Sequence, residues 1–73
     1  MTHKLRKMSG RGDETVAEWD TETVTEAKLA EIEKEFNARI KEGYFAADIN
    51  KNELIQSFDP NADILLIPKM QGG

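Results

Sequence analysis

Cysteine is absent from all 73 residues, which removes disulfides, thiolate metal sites and thiol nucleophiles from consideration. Histidine occurs once, as His3, with no cysteine or carboxylate beside it in sequence, so it carries no expectation of metal binding or catalysis. No apolar run approaches the roughly 18 residues of a membrane span, and the basic start lacks the apolar stretch of a secretory leader. No phosphate-binding loop or nucleophile motif occurs. The net charge of −4 argues against nucleic acid as the main partner. These exclusions leave a soluble, untargeted chain, expected in the cytoplasm, with neither membrane nor nucleic acid as partner. It is long enough for one domain. A chain this short buries only about 60 % of its unfolded surface, so its core must be compact.

What is present is unevenly placed. Residues 1–12 hold Lys4, Arg6, Lys7 and Arg11 and no acid, whereas residues 13–35 hold nine acids against Lys28 and Lys34. A solvated strand edge beside an acidic hairpin return and helix accounts for this, as does a basic strip facing an acidic partner.

Two short extended runs, His3–Met8 and Glu14–Trp19, flank the turn cluster Ser9-Gly10-Arg11-Gly12-Asp13 and predict a hairpin. Leu5 and Met8 have opposite parity unless a bulge intervenes. In the second run Thr15, Ala17 and Trp19 share one face, and Trp19 reads as core. The triplet Arg11-Gly12-Asp13 matches an integrin-recognition signal. Three residues carry little information, and flanking glycines are what a turn with positive φ requires.

An amphipathic helix is predicted over residues 24–42. Thr23 and Glu26 have the spacing of a capping box. Leu29, Ile32, Phe36 and Ile40 then form one apolar stripe, and Gly43 supplies a left-handed stop. Tyr44–Ile49 reads as a strand with Phe45, Ala47 and Ile49 on one face. Asn50-Lys51-Asn52 is a turn, Glu53–Phe58 a peripheral strand, and Asp59–Asp63 a loop with Pro60 set for a turn. Ile64-Leu65-Leu66-Ile67 is an unbroken apolar run, the pattern of a central strand buried on both faces. Pro68 ends it, having no N–H to donate.

The order is strand, strand, helix, strand, strand, strand. If the last strand lies inside the sheet, parallel to the first and between the two hairpins, the result is an α+β fold of β-grasp (ubiquitin-like) type: a ββαβββ mixed sheet with the helix across one face. The final ten residues make the likeness specific. Ile64-Leu65-Leu66-Ile67-Pro68-Lys69-Met70-Gln71-Gly72-Gly73 resembles the C-terminus of the sulfur-carrier proteins of molybdopterin and thiamin biosynthesis: an apolar strand, a proline, an apolar residue and a bare Gly-Gly. Residues 46–55 also resemble the strand–turn–strand of that family. Gln71 departs from the small residue usual there, and the Asp59–Asp63 connection is shorter than ubiquitin's.

The resemblance implies residues 1–71 as one domain and 72–73 as a flexible diglycine tail. It implies a carrier or protein modifier whose Gly73 carboxylate is activated by an E1-like ATP-dependent adenylating enzyme. The acyl-adenylate then becomes a thiocarboxylate for a sulfur acceptor enzyme, or passes through an enzyme thiol to a target lysine. Gly72 and Gly73 suit that chemistry because a side chain would obstruct a narrow nucleotide pocket. The chain would not itself be an enzyme. It would supply no catalytic group, bind no metal and need no cofactor. Partner contact is expected on the sheet face away from the helix, with Leu5, Phe58 and Met70 as candidate residues. The competing expectation is a β-grasp interaction module, such as a phage or multiprotein-complex subunit, in which the diglycine is incidental.

Overall fold

The computed structural model describes residues 1–10 and 12–69. Among them the chain forms β1 (Thr2–Ser9), β2 (Gly12–Asp20), α1 (Glu26–Lys41), β3 (Phe45–Asp48), β4 (Glu53–Ile55) and β5 (Ile64–Ile67). The strands make one mixed sheet in the order β2-β1-β5-β3-β4. The two hairpins are antiparallel, and β5 lies between them, parallel to β1 and antiparallel to β3. The fold is therefore α+β, with one helix and five strands, and the last strand is central as its composition suggests.

One face of the sheet is closed by α1. Phe36, Leu5, Ile64 and Leu66 are the largest fully buried side chains, and Trp19, Ile32, Ala46 and Ala62 complete the core. Leu29 and Ile40 extend the helix stripe at its margins. Trp19, Phe58 and Phe36 form a chain of tilted ring contacts with centroids 5.5 and 5.7 Å apart. The Trp19 indole N–H donates to the Pro60 carbonyl at 2.9 Å, satisfying its buried polar end. That carbonyl sits in a turn closed by the Ala62 N–H donating to the Asp59 carbonyl, with Pro60 at its second position.

The helix begins two residues later than the capping-box spacing suggests. Thr25 is the N-cap, its hydroxyl accepting from the Lys28 N–H at 3.1 Å. Thr23 is held outside the helix because its N–H and that of Val24 both donate to the Asp20 carbonyl. Position N3 is then Lys28, so no reciprocal carboxylate exists. Val24 and Leu29 occupy the positions of a hydrophobic staple and both pack against the core. The other end follows the expected pattern. Gly43 has φ 107°, its N–H donates to the Ile40 carbonyl, and the Tyr44 N–H donates to the Arg39 carbonyl, which together make a Schellman cap.

Three further expectations are corrected. The β1–β2 register shifts between Leu5, opposite Ala17, and Arg6, opposite Thr15, leaving Val16 as the extra residue of a bulge. Thr15 is consequently exposed rather than sharing the face of Ala17 and Trp19, while Val16 packs against the core. Strand β4 stops at Ile55, and Phe58 turns into the core instead of continuing a strand. The β5 run is buried on one face only: Ile64 and Leu66 lie under the helix, and Leu65 and Ile67 are half-buried on the other side.

Candidate interaction surface

The face opposite the helix is read from the strand pairing. Arg6 lies opposite Leu65, Leu65 opposite Ala47, and Ala47 opposite Leu54, so these four residues form one row across β1, β5, β3 and β4. Ile67 opposite Phe45 begins the next row, on the side where the chain leaves through Pro68. Alternation puts Met8 on this face with Lys4 and Arg6. No part of the described chain covers it: Phe45 is 49 % exposed, Leu54 67 %, Ile49 47 % and Met8 40 %. Covering Phe45 and Leu54 would return roughly 1–2 kcal/mol each, since full burial of such side chains is worth about 1.5–3 kcal/mol. Isolated exposed apolar residues need no explanation. Several on one sheet face mark a surface that another molecule can cover.

Charge flanks the apolar rows on one side. Lys4 and Arg6 project from β1, and Lys4 reaches Glu18 of β2 at 3.5 Å. Arg6 has no ion pair among the described residues and is only half-buried. Thr2, Lys4, Arg6, Ile49 and Asp63 line a shallow groove of about 240 Å³ at the end of the sheet away from Pro68.

Asp63 joins three elements at that groove. Its Oδ1 accepts the Lys4 N–H at 3.0 Å, its Oδ2 accepts from the Asn50 side-chain amide at 3.0 Å, and its carbonyl accepts the Ile49 N–H. Partial burial alone would push its carboxyl up. The Asn50 and Lys4 bonds, with His3 beside it, outweigh burial and hold it below the usual carboxylate range. His3 therefore does have a carboxylate neighbour, although none is near it in sequence. Its Nδ1 lies 3.4 Å from Asp63 Oδ1, buried and without a hydrogen bond, and its ring rests 6.1 Å from that of Trp19. The pair packs β1 against the start of β5. Among the described residues no group of three or more metal-ligating side chains forms around it.

The candidate partner residues are placed as follows. Leu5 is fully buried beneath the helix, because its odd parity pairs it with Ala17 and Ile64 on the inner face. Phe58 packs between Trp19 and Phe36. Neither belongs to the open face, and both are corrected to core positions. Met70, Gly72 and Gly73 lie outside the described residues, as does Arg11 of the hairpin triplet. The residues that do occupy the open face, Phe45, Leu54, Leu65, Ile67 and Arg6, were not singled out by the sequence for contact. One signal was present: Phe45, Ala47 and Ile49 alternate, and the structure shows that their shared face is the outer one.

No helix among the described residues is long and apolar enough to cross a membrane. No family model matches the chain, and no curated protein or solved structure matches it.

Proposed function

We propose that the chain is a ubiquitin-like carrier of β-grasp architecture, whose Gly73 carboxylate is activated by an E1-like adenylating enzyme for sulfur transfer or protein conjugation. The observation that carries this reading is the strand order β2-β1-β5-β3-β4 with β5 parallel to β1. It sends the most apolar strand through the middle of the sheet and directly into Pro68 and the segment ending in Gly72-Gly73. The scaffold then has one task, which is to hold the base of that segment rigidly while an enzyme acts on its end. Activation would join the Gly73 carboxylate oxygen to the α-phosphorus of ATP and release pyrophosphate. A sulfur or enzyme-thiol nucleophile would then displace AMP from the acyl carbon. The open face beside Pro68 would let the enzyme grip the carrier as well as its tail.

The test is exchange of labelled pyrophosphate into ATP by a cognate adenylating enzyme, with intact mass checking that Gly73 carries the free carboxylate. Wild type should support exchange and accept a mass increase of about 16 Da on sulfur transfer, oxygen being replaced by sulfur. Deleting Gly72 and Gly73 should abolish exchange and leave the melting temperature unchanged, since the ladder ends at Pro68. A truncated chain that still performs its biological role would favour the second reading, an interaction module. The exposed Phe45–Ile67 face favours that reading too, because a protein whose role is to be bound needs the face and not the tail.

A further inference from the structure

The residues Met1-Thr2-His3 place an α-amine, two backbone amides and an imidazole in immediate succession. Wrapped around a divalent ion, the amine, the Thr2 and His3 amide nitrogens and His3 Nδ1 supply four nitrogens in one plane. Each neighbouring pair closes a chelate ring of ordinary small size, which is why the histidine must be the third residue and must bind through Nδ1. A square of four nitrogens suits Cu(II) first and Ni(II) next. Such a site uses one side chain only. It is therefore compatible with the lack, among the described residues, of any group of three or more ligating side chains.

Few contacts hold these ligands in the fold. Pairing of β1 with β5 begins at Leu5, and the Lys4 N–H bond to Asp63 comes just before it. Thr2 and His3 have their strand partners, Asp20 and Trp19, in β2. The Met1 ammonium meets Asp20 at 3.1 Å in an exposed pair, an interaction of small worth. His3 Nδ1 is buried 3.4 Å from Asp63 Oδ1 and has no hydrogen bond. A buried nitrogen without a partner gains by acquiring one. The amine is directed to β2 and the imidazole nitrogen to the residue before β5, so the four nitrogens come together only when residues 1–3 leave the sheet.

We propose that Met1–His3 form a Cu(II) site that competes with the docked end of β1. The ion gains four metal–nitrogen bonds without change of oxidation state. The ammonium gives up one proton and each of the two amides another, all to solvent, and His3 binds as neutral imidazole. Loading takes the ammonium from Asp20 and withdraws His3 from Asp63 and from the Trp19 ring. Because protons are released, acid reverses it. The site requires the α-amine of Met1 to be free, and it uses neither the open sheet face nor Gly73.

The experiment takes the full chain, its free Met1 amine checked by intact mass, and titrates it with Ni(II) alone and with Cu(II) alone. Square-planar Ni(II) is diamagnetic, so amide-resolved NMR spectra stay sharp. At one equivalent the Thr2 and His3 amide signals should disappear, those of Trp19 and Thr21 should shift, and those of Phe36 and Leu66 should stay in place. Cu(II) should absorb at shorter wavelength than the aqueous ion. Acetylating the Met1 amine, adding one glycine ahead of Met1, or His3→Gln should each weaken Cu(II) by about a hundredfold or more, beyond the loss expected from an outer-shell partner. The first two changes leave the packed His3 side chain intact, so they separate loss of the site from loss of the fold. Asp63→Asn should load as wild type does, since no carboxylate is a ligand. Loading that survives acetylation, loading lost in Asp63→Asn, broadened signals centred on the carboxylates, or no uptake at neutral pH would each overturn the proposal.

Discussion

Two phenylalanines nine positions apart offer the sharpest test of which face is core. Phe36 is fully buried beneath the sheet, and its ring meets that of Phe58 at 5.7 Å. Phe45 is 49 % exposed on the other side, opposite Ile67. Truncating a buried phenylalanine to alanine costs about 3–5 kcal/mol, because the transfer energy is lost and a cavity remains. A domain of this size is stable by roughly 4–11 kcal/mol, at about 0.05–0.15 kcal/mol per residue. Phe36→Ala therefore removes from about a quarter to all of the stability. With a urea slope near 1 kcal/mol/M for so small a protein, the midpoint should fall by about 3 M or vanish. Phe45→Ala makes no comparable cavity and should cost about 1 kcal/mol or less, moving the midpoint by about 1 M at most. The assay is a pair of urea titrations followed by circular dichroism. Equal losses, or a larger loss at Phe45, would refute the assignment of faces and with it the open surface.

Gly43→Ala should destabilise the fold by about 1–3 kcal/mol through its φ of 107°, not through collision, since the new methyl would come no nearer than 4.0 Å to Lys69; thermal melts check it. Thr25→Ala should cost about 0.5–2 kcal/mol by exposing the Lys28 N–H, whereas Thr23→Ala should stay within about 0.5 kcal/mol, so reversed values in chemical denaturation would restore the earlier cap. Asp63→Asn tests the groove carboxylate. Its folded pKa is depressed below 3.8, so its stabilising effect should be complete well above that pH and lost as pH falls through the folded value; the gap between wild type and Asp63→Asn should therefore close in acid.

Much of the architecture was legible because its signals are local. The stripe Leu29, Ile32, Phe36, Ile40 lies on one helix face at any register, and Gly43 stops a helix whatever surrounds it. The apolar run of β5 and the proline after it marked a central strand without knowledge of its neighbours. The misread features depend on residues distant in sequence. The cap shifted to Thr25 because the Asp20 carbonyl, at the end of β2, captures the Thr23 and Val24 amides. His3 acquired a carboxylate neighbour only because β1 and β5 run parallel side by side, which brings Asp63 to it. Phe58 left the expected strand because the Asp59–Ala62 turn swings the chain across the Trp19 ring.

The parity of β5 is a different case, and it bears on function. Ile64 to Ile67 offers two faces of nearly equal hydrophobicity, so composition cannot say which one meets the helix. Pairing decides it: Ile64 shares the inner face with Leu5 and Asp48, and Leu66 with Ala46. That leaves Leu65 and Ile67 outside, among Arg6, Ala47 and Phe45. A strand apolar on both faces normally reports a sheet covered on both faces. Here the fold supplies one cover, while the pattern of the strand asks for two. The described residues supply no second cover, and the same face carries Arg6, which has no ion pair among them. Phe45, Leu65 and Ile67 beside Arg6 make a face that another molecule can cover under the carrier and the module readings alike.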